Sequence, residues 1–275
     1  MLVLAPAVRD FRALAFLAHA AFALAVLAMP SLARAEKPDP CPPLTSSAEP
    51  RIMPAALAPN EVGLTFVGHA TFLIETPGGV RIATDYNDYI RPAVVPDVAT
   101  MNKAHPSHYS NHPDPGIKLI LRGWNPAGGP IHYDETFGDV RIRNVQTNIR
   151  NWGGGTEYDG NSIFVFESAG LCIAHLGHLH HELTPEHLAK LGRIDVVLAP
   201  VDGSYTLDTP GMMNVLKSIG APLIIPMHIF SDATLERFLA LARESYPVEF
   251  SSSAHIVLSR ETLPSSPKIL VLPGR

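Results

Sequence analysis

The sequence predicts an α/β fold in which β-sheets pack against each other and helices cover them from outside. The first half of the chain consists of short segments that alternate apolar and polar residues and are joined by turns, as strands are. The second half alternates buried strand-like runs with helix-like segments, which favours sheets with helices on their outer faces. Histidines and aspartates repeatedly follow strand ends, and this placement predicts a site built from edge loops.

Residues 1–35 have the pattern of a secretory signal peptide and are predicted to lie outside the fold. Two arginines precede the apolar run Ala13–Met29, and Ala33-Arg-Ala35 places small residues around a cleavage site. An uncleaved membrane anchor is the alternative, but the high alanine content of the run favours cleavage. No later stretch is long and apolar enough to span a bilayer, so we expect a periplasmic or secreted protein without stable membrane insertion.

Residues 36–60, rich in proline, serine and alanine, are predicted to be a linker, and residues 61–275 to form one domain. Loss of the signal peptide removes three arginines and one aspartate, which takes the formal net charge from −5 to −7. An acidic chain without a basic patch does not suit nucleic acid, so we expect a small-molecule substrate. The sequence does not indicate an oligomeric state, and it leaves open whether Cys41 and Cys172 pair or stay free.

The domain is predicted to begin with an antiparallel meander of three strands. Leu64 and Phe66 belong to the first strand, Thr71–Glu75 forms the second, and Val80–Thr84 forms the third. Thr76-Pro-Gly-Gly79 supplies the turn between the last two strands, with glycines where a positive φ is needed.

A loop, a second strand pair and a glycine-rich loop are predicted to follow. Asp114–Pro130 has loop composition, and Ile131–Tyr133 is expected to pair with Val140–Val145 through a turn at Gly138-Asp139. Asn151–Gly160 is glycine-rich, and it fits a loop that lines a pocket as well as it fits a plain connector. A hairpin over Ser162–Glu167 and Leu171–Ala174 comes next.

Three helices are predicted in the second half, each with a recognisable start. Thr184-Pro185 begins the first and Gly192 ends it, while Thr209-Pro210 begins the second and Gly220 ends it. Ser231 or Asp232 caps the third, which is expected to reach about Glu244. Strands are predicted at Val196–Ala199, Leu223–Ile225, His255–Leu258 and Ile269–Leu272.

Histidines cluster in two short segments, and this clustering predicts a metal site. His105, His108 and His112 fall within eight residues that Pro106 keeps out of a helix, and a second group lies in the run His175–His181. Neutral imidazole is the commonest nitrogen ligand of zinc. A polar loop with solvent-facing histidines is the alternative, but dispersed surface histidines would not produce two clusters.

The order of several motifs resembles that of the metallo-β-lactamase fold superfamily over roughly residues 61–260. The branch most similar includes the ascorbate-lactone hydrolases and N-acyl phosphatidylethanolamine phospholipase D. The resemblance implies an αββα sandwich of two mixed β-sheets, with one or two metals at one sheet edge. The motifs that carry it are Phe66-Val-Gly-His-Ala70, the histidine loop, Gly160-Asn-Ser-Ile-Phe164, Ala174-His-Leu-Gly177, the run Asp195–Gly203 and Ile225-Pro-Met-His228.

The same resemblance implies a ligand set in which the acidic ligands are replaced. The family loop reads His-x-His-x-Asp-His, and a reading with longer gaps places His105, His108 and His112 in it, with Asn111 at the aspartate. The aspartate that bridges the metals in the branch corresponds to His178 here. The branch also has a histidine after the preceding strand, and in this sequence Ile149 stands at that position. The metal ligands implied are His105, His108, His112, His178 and His228.

Charge favours one metal ion over two. Two zinc ions carry four positive charges, and imidazoles offer no negative charge to offset them. We therefore expect one Zn²⁺, or another divalent ion, with Asp85 or Asp202 either binding it directly or orienting a histidine.

These features predict an exported metal-dependent hydrolase that uses a metal-activated water on an ester, lactone or phosphodiester. Asp85 or Asp202 is expected to hold or deprotonate the water, and His69 or His181 to protonate the leaving group. The alternative is a non-catalytic metal-binding protein on the same fold with a degenerate site. No Gly-x-Ser-x-Gly occurs, so a serine hydrolase is not indicated.

Overall fold

A computed structural model describes residues 56–151 and 153–274 of the chain. The predicted signal peptide, most of the predicted linker and Cys41 lie outside the described residues. Cys172 is a free thiol within them. Among the described residues, none of the helices has the length and apolar character needed to cross a membrane.

The described chain folds into two mixed β-sheets with three helices, which confirms the predicted fold class. The first sheet has the strand order β13-β1-β2-β3-β4-β5, and the second has the order β12-β14-β11-β10-β9-β8-β7-β6. The strands are β1 Val62–Gly68, β2 Thr71–Glu75, β3 Arg81–Ala83, β4 Val98–Met101, β5 Leu119–Arg122, β6 Asp134–Phe137, β7 Val140–Arg150, β8 Thr156–Ser168, β9 Leu171–His175, β10 Val196–Pro200, β11 Leu223–Met227, β12 Val248–Phe250, β13 His255–Leu258 and β14 Lys268–Val271. The helices are α1 Pro185–Leu191, α2 Thr209–Ile219 and α3 Asp232–Ala242.

Apolar side chains from both sheets form one buried cluster, because successive residues of a strand point to opposite faces. Phe72 and Ile82 of the first sheet belong to this cluster, and so do Phe164, Phe166 and Ile225 of the second. The sheets therefore pack face to face and share a core.

The other face of the second sheet packs against the helices. Val165, Val197 and Ile224 alternate in sequence with residues of the shared core, and they join Met212 of α2 and Phe238 of α3 in a separate buried cluster. The strands β9, β10 and β11 are buried on both faces, as expected for parallel strands between two layers.

The three helices begin where the sequence predicts, except that the N-cap residue of α2 lies one position earlier than expected. The side chain of Thr184 accepts a hydrogen bond from the backbone N–H of His187 at the start of α1. Asp208, one residue earlier than expected, caps α2, and Ser231 caps α3. Gly192 and Gly220 end the first two helices.

Five stretches of the described chain depart from the predicted strands and loops. The strand that pairs with β7 is Asp134–Phe137, so the predicted strand Ile131–Tyr133 was wrong by three residues. Leu119–Arg122 is a strand inside the stretch predicted as loop, and the predicted loop Asn151–Gly160 ends early because β8 already begins at Thr156. Val98–Met101 and Val248–Phe250 were missed altogether; both pair in parallel, so no local hairpin turn marks them.

The topology brings the histidine and aspartate loops to one edge. Strands β1 and β3 run in the same direction because both are antiparallel to β2, and β4 is parallel to β3. Strands β9, β10 and β11 are mutually parallel. The residues that follow these strand ends are His69, Asp85, the loop 102–112, His178, Asp202 and His228.

We predict that Phe166→Ala lowers the free energy of unfolding by about 3–5 kcal/mol, because the ring is 1% exposed between the sheets and its loss leaves a cavity. Urea denaturation measures the change. The matched control is Phe250→Ala, since that ring is 59% exposed and its removal should change stability by no more than about 0.5 kcal/mol. Equal effects of both variants would contradict the assigned core.

Candidate metal centre

Two buried imidazoles face each other at the centre of the edge site. The Nε2 atoms of His108 and His228 lie 3.2 Å apart. Nδ1 of His108 lies 2.5 Å from a carboxylate oxygen of Asp85, and Nδ1 of His228 lies 2.9 Å from a carboxylate oxygen of Asp202. When each Nδ1–H donates to its carboxylate, both Nε2 atoms carry lone pairs. Two lone pairs at this distance repel each other unless a cation or a proton lies between them.

Asp85 follows β3 and lies entirely out of solvent. One of its oxygens faces His108, and the other accepts a hydrogen bond of 3.0 Å from the side-chain amide of Asn102. Burial raises the pKa of this carboxyl to about 6, against the opposing effects of His175 and of the bond from Asn102. Since both oxygens are engaged, Asp85 is placed to orient His108 rather than to hold a water.

Asp202 follows β10 and is the more heavily hydrogen-bonded of the two carboxylates. It accepts backbone N–H groups of Ser204 and Tyr205 at 2.8 and 2.5 Å and the hydroxyl of Thr206, besides facing His228. Burial opposes ionisation, but the hydrogen bonds from His228 and Thr206 outweigh it and hold the pKa of Asp202 well below its usual range. Asp202 therefore stays charged behind His228.

His69 completes a group of three imidazoles that could hold a metal ion. One ring nitrogen from each of His69, His108 and His228 lies within 4.8 Å of the others. The ring centroid of His69 lies 4.1 Å from that of His228 and 5.1 Å from that of His108. Burial, with a smaller contribution from His228, lowers the pKa of His69 to about 3, so its imidazole is neutral and able to act as a ligand.

Strained backbone marks the same residues. Five non-glycine residues of the described chain have a positive φ, and His69, Asp85 and His228 are three of them, at 52°, 41° and 59°. Such conformations cost free energy and concentrate at functional sites. The backbone N–H of His228 donates to the carbonyl of His69 at 2.6 Å, which ties the two loops together.

His178 follows β9 and lies beside the central pair. Its ring is 5% exposed, and its centroid lies 4.7 Å from that of His108 and 5.0 Å from that of His228. Nδ1 of His178 lies 2.5 Å from Nε2 of His180, a residue that the sequence did not single out as a ligand. His178 is therefore part of the imidazole cluster, but one of its nitrogens is already engaged.

The remaining predicted residues lie at the rim or outside the cluster. His105 is exposed and lines the pocket, with Nδ1 3.0 Å from the hydroxyl oxygen of Ser107. His112 is exposed, and its carbonyl accepts a hydrogen bond from Arg91 at 3.0 Å, so the structure gives it no place among the ligands. His181 does not line the pocket, and its Nε2 is buried without a hydrogen-bond partner in the described chain.

His108 lies inside the imidazole cluster and His112 lies at the surface, which corrects the alignment of this loop with the family pattern. A short 3-10 turn over Pro106–His108 carries His108 inwards beside Asp85. The pattern His-x-His-x-Asp-His then aligns, without longer gaps, with Lys103-Ala-His105-Pro-Ser107-His108, and only His105 and His108 agree with it. Lys103 stands at the first histidine and Ser107 at the aspartate, so Asn111 is not the replacement for the acidic ligand.

A cavity of about 250 Å³ opens onto this cluster. Its walls include the imidazoles of His69, His178 and His228 and two aromatic rings, Tyr205 and Phe230, whose centroids lie 5.3 Å apart. These rings are 65% and 50% exposed, which leaves an apolar wall accessible at the mouth of the pocket. None of the residues that line this cavity is acidic, and none is a lysine or an arginine.

Sequence reasoning missed several residues that support the site. Asn102 donates to Asp85 and, through its carbonyl oxygen, accepts the backbone N–H of Ser162 on the second sheet at 2.8 Å. Ser107 lies 2.9 Å from Nε2 of His69. Lone amides and hydroxyls carry no spacing signal, so only the folded arrangement identifies them. His180 did carry a signal, since it lies in the second histidine cluster.

The sequence matches the family model of the beta-lactamase superfamily domain over residues 63–228. A UPF0173 metal-dependent hydrolase of Thermoplasma acidophilum is 32% identical over 123 residues, which cover 43% of this chain and 52% of that relative. A UPF0173 metal-dependent hydrolase of Methanosphaerula palustris is 25% identical over 183 residues, which cover 60% of this chain and 82% of that relative.

Solved structures share the fold. A candidate Zn-dependent hydrolase of the metallo-beta-lactamase superfamily from Thermotoga maritima is 31% identical and gives a TM-score of 0.57. The match covers 78% of this chain and 100% of that one. The metallo hydrolase Igni18 of Ignicoccus hospitalis, at 19% identity and a TM-score of 0.50, shares the fold over 72% of this chain and 99% of its own.

We predict that Asp85→Asn and Asp202→Asn each weaken the binding of a divalent metal by about 10–100-fold, because an amide no longer fixes the Nε2 lone pair of its histidine. Competition with a chromogenic zinc chelator measures the affinity. Asp97→Asn is the control, since Asp97 pairs with Lys118 away from the imidazoles and its loss should leave the affinity unchanged. An unchanged affinity in both site variants would contradict the orienting role.

Proposed function

The chain belongs to the beta-lactamase superfamily, and from that premise we propose that it is a metal-dependent hydrolase with a single-metal centre. The observation that carries the proposal is the facing pair of His108 and His228, each backed by a buried carboxylate. Carboxylate–histidine pairs of this kind fix the tautomer that offers Nε2 to a metal. His69 supplies the third ligand, and three protein ligands with one open position suit a catalytic zinc.

Charge balance supports one divalent ion. The two carboxylates behind the imidazoles offset the two positive charges of a single divalent cation. A second ion would bring two more positive charges and would need ligands where the loop has Lys103, His105 and, on β7, Ile149. Lys103 forms an ion pair with Glu157, and Ile149 is an apolar residue only 4% exposed, so His105 alone could serve there. Zn²⁺ is the ion proposed, because imidazole suits it well.

The proposed reaction is the hydrolysis of an ester, a lactone or a phosphodiester of small size. A bound divalent metal lowers the pKa of its water towards neutrality and so supplies the nucleophile. Asp85 and Asp202 hold their histidines in place and do not line the pocket, so we assign them orienting roles in place of the water-activating role expected from the sequence. The exposed rings of Tyr205 and Phe230 offer an apolar surface for the part of the substrate that is not cleaved.

Export to the periplasm or the medium remains part of the proposal. It is supported by the signal-peptide pattern of residues 1–35. The net charge of −5 for the whole chain supports a small-molecule substrate over a nucleic acid.

A non-catalytic metal-binding protein is the second candidate function. The observation that favours it is the loss of acidic ligands, with His178 and Ser107 in positions that carry aspartate in the family pattern. An open pocket above the imidazoles favours catalysis, because a purely structural metal site is closed by four protein ligands.

We predict close to one metal ion per chain in the parent protein, and less than about a tenth of that in His108→Ala and His228→Ala, because each variant removes one of three ligands. Elemental analysis of purified protein measures the content. His112→Ala is the matched control and should keep the parent content, since His112 lies at the surface. A parent protein that binds no metal would contradict the proposal.

Turnover distinguishes the two candidate functions. The enzyme is expected to cleave p-nitrophenyl acetate, bis(p-nitrophenyl) phosphate or a chromogenic lactone, to lose this activity with a chelator and to regain it with one equivalent of Zn²⁺. A fully loaded protein that cleaves none of the three would favour the non-catalytic candidate.

A further inference from the structure

The tautomer of His180 is fixed by a backbone group. The backbone N–H of Arg150, at the end of β7, donates to Nδ1 of His180 at 2.6 Å. A backbone N–H can only donate, so Nδ1 of His180 accepts and carries no proton. The ring proton of His180 therefore lies on Nε2.

His180 in turn fixes the tautomer of His178. Nε2 of His180 lies 2.5 Å from Nδ1 of His178, and the Nε2–H of His180 donates a hydrogen bond to that atom. Nδ1 of His178 is thus an acceptor, and the ring proton of His178 lies on Nε2. A protonated ring nitrogen has no lone pair to give to a metal, and the other nitrogen of the ring is occupied by His180.

His178 is anchored through its backbone, which leaves the Nε2–H of its ring available to a substrate. The backbone N–H of His178 donates to Oδ1 of Asn161 at 2.8 Å, which anchors the residue after β9. The preceding Gly177 has a φ of 62°, and a Cβ there would lie 2.4 Å from Asn161, so the turn is held tightly. The ring of His178 lines the cavity, and no described residue accepts a hydrogen bond from its Nε2.

We propose that His178 is not a metal ligand but a hydrogen-bond donor to the substrate oxygen that gains negative charge, with His180 as its positioning residue. The inference rests on the proposed function, because it takes His69, His108 and His228 as the ligands. It also gives a role to the replacement of a bridging aspartate by histidine: a group that would bind a second metal becomes a neutral donor.

The step balances without a proton transfer from His178. As the water oxygen forms its bond to the carbonyl carbon or to phosphorus, an electron pair moves to the oxygen of the carbonyl or phosphoryl group. Nε2–H of His178 donates a hydrogen bond to that oxygen. When the oxygen's electron pair returns, the bond to the leaving oxygen breaks and that oxygen takes the bonding pair. The proton that the attacking water gives up passes through solvent to the leaving oxygen, or stays in solvent when the leaving group is a stable anion such as p-nitrophenolate. A fixed donor of this kind contributes about 10²–10³-fold to the rate.

The most direct test reads the histidine nitrogens by NMR in protein labelled with ¹⁵N-histidine and loaded with ¹¹³Cd²⁺. The proposal predicts scalar coupling of ¹¹³Cd to His69, His108 and His228, while His178 shows a protonated Nε2 and an unprotonated Nδ1. Coupling of ¹¹³Cd to His178 would overturn the inference but leave a metal site. If no Cd²⁺ binds, the proposed function fails. A protonated Nδ1 of His178 in the metal-free protein would overturn the proposed chain of hydrogen bonds from Arg150 through His180 to His178.

Variants give a second readout that does not depend on the spectrum. His178→Ala should keep about one Zn²⁺ per chain while kcat falls about 10²–10³-fold on whichever p-nitrophenyl substrate the parent cleaves. His178→Gln, which retains an N–H donor, should recover part of the loss. A loss of zinc in His178→Ala as complete as in His108→Ala would show that His178 is a ligand after all.

The positioning role of His180 has its own pair of variants. His180→Gln can accept from Arg150 and donate to His178, so it should preserve the tautomer of His178 and most of kcat. His180→Phe keeps a ring but removes the donor, so the Nδ1–H tautomer of His178 should appear in the spectrum and kcat should fall with little change in KM. Identical spectra for the two variants would contradict the proposal that His180 fixes the tautomer of His178.

Discussion

The site depends on one electrostatic constraint, the close approach of the Nε2 atoms of two buried imidazoles, His108 and His228. The Nε2 atoms lie 3.2 Å apart, and on the opposite side of each ring Nδ1–H donates a hydrogen bond to the carboxylate of Asp85 or Asp202, which leaves Nε2 to face the other ring. The carboxylates are buried, so each needs a positive charge nearby. A single divalent cation held by the two imidazoles would relieve the repulsion between their Nε2 lone pairs and supply the positive charge that the carboxylates need.

The fold supplies the strained loops that hold this arrangement. His69, Asp85 and His228 each follow a strand end with a left-handed backbone, a conformation that the surrounding sheets must impose. Asn102 links the two sheets at the same point through Asp85 and Ser162. The core between the sheets therefore sets the distance between the imidazoles, and the geometry of the site is a consequence of sheet packing.

Sequence patterns predicted the sheets, the helices and the edge at which the site lies, because periodicity, caps and clustered histidines are local signals. They did not predict which histidine of the loop turns inwards, since spacing alone does not distinguish His108 from His112 without the turn at Pro106. They also could not assign the roles of Asp85 and Asp202, which depend on contacts between distant segments. The state of His178 depends on a backbone N–H from β7, and a backbone group leaves no trace in the sequence.

Crystals of the protein soaked with Zn²⁺ and measured on both sides of the zinc absorption edge test the central claim most directly. One anomalous peak per chain, within bonding distance of His69, His108 and His228, is the result that the account predicts. Two peaks bridged by His178, or a peak beside Lys103 and His105 with none between His108 and His228, would contradict it.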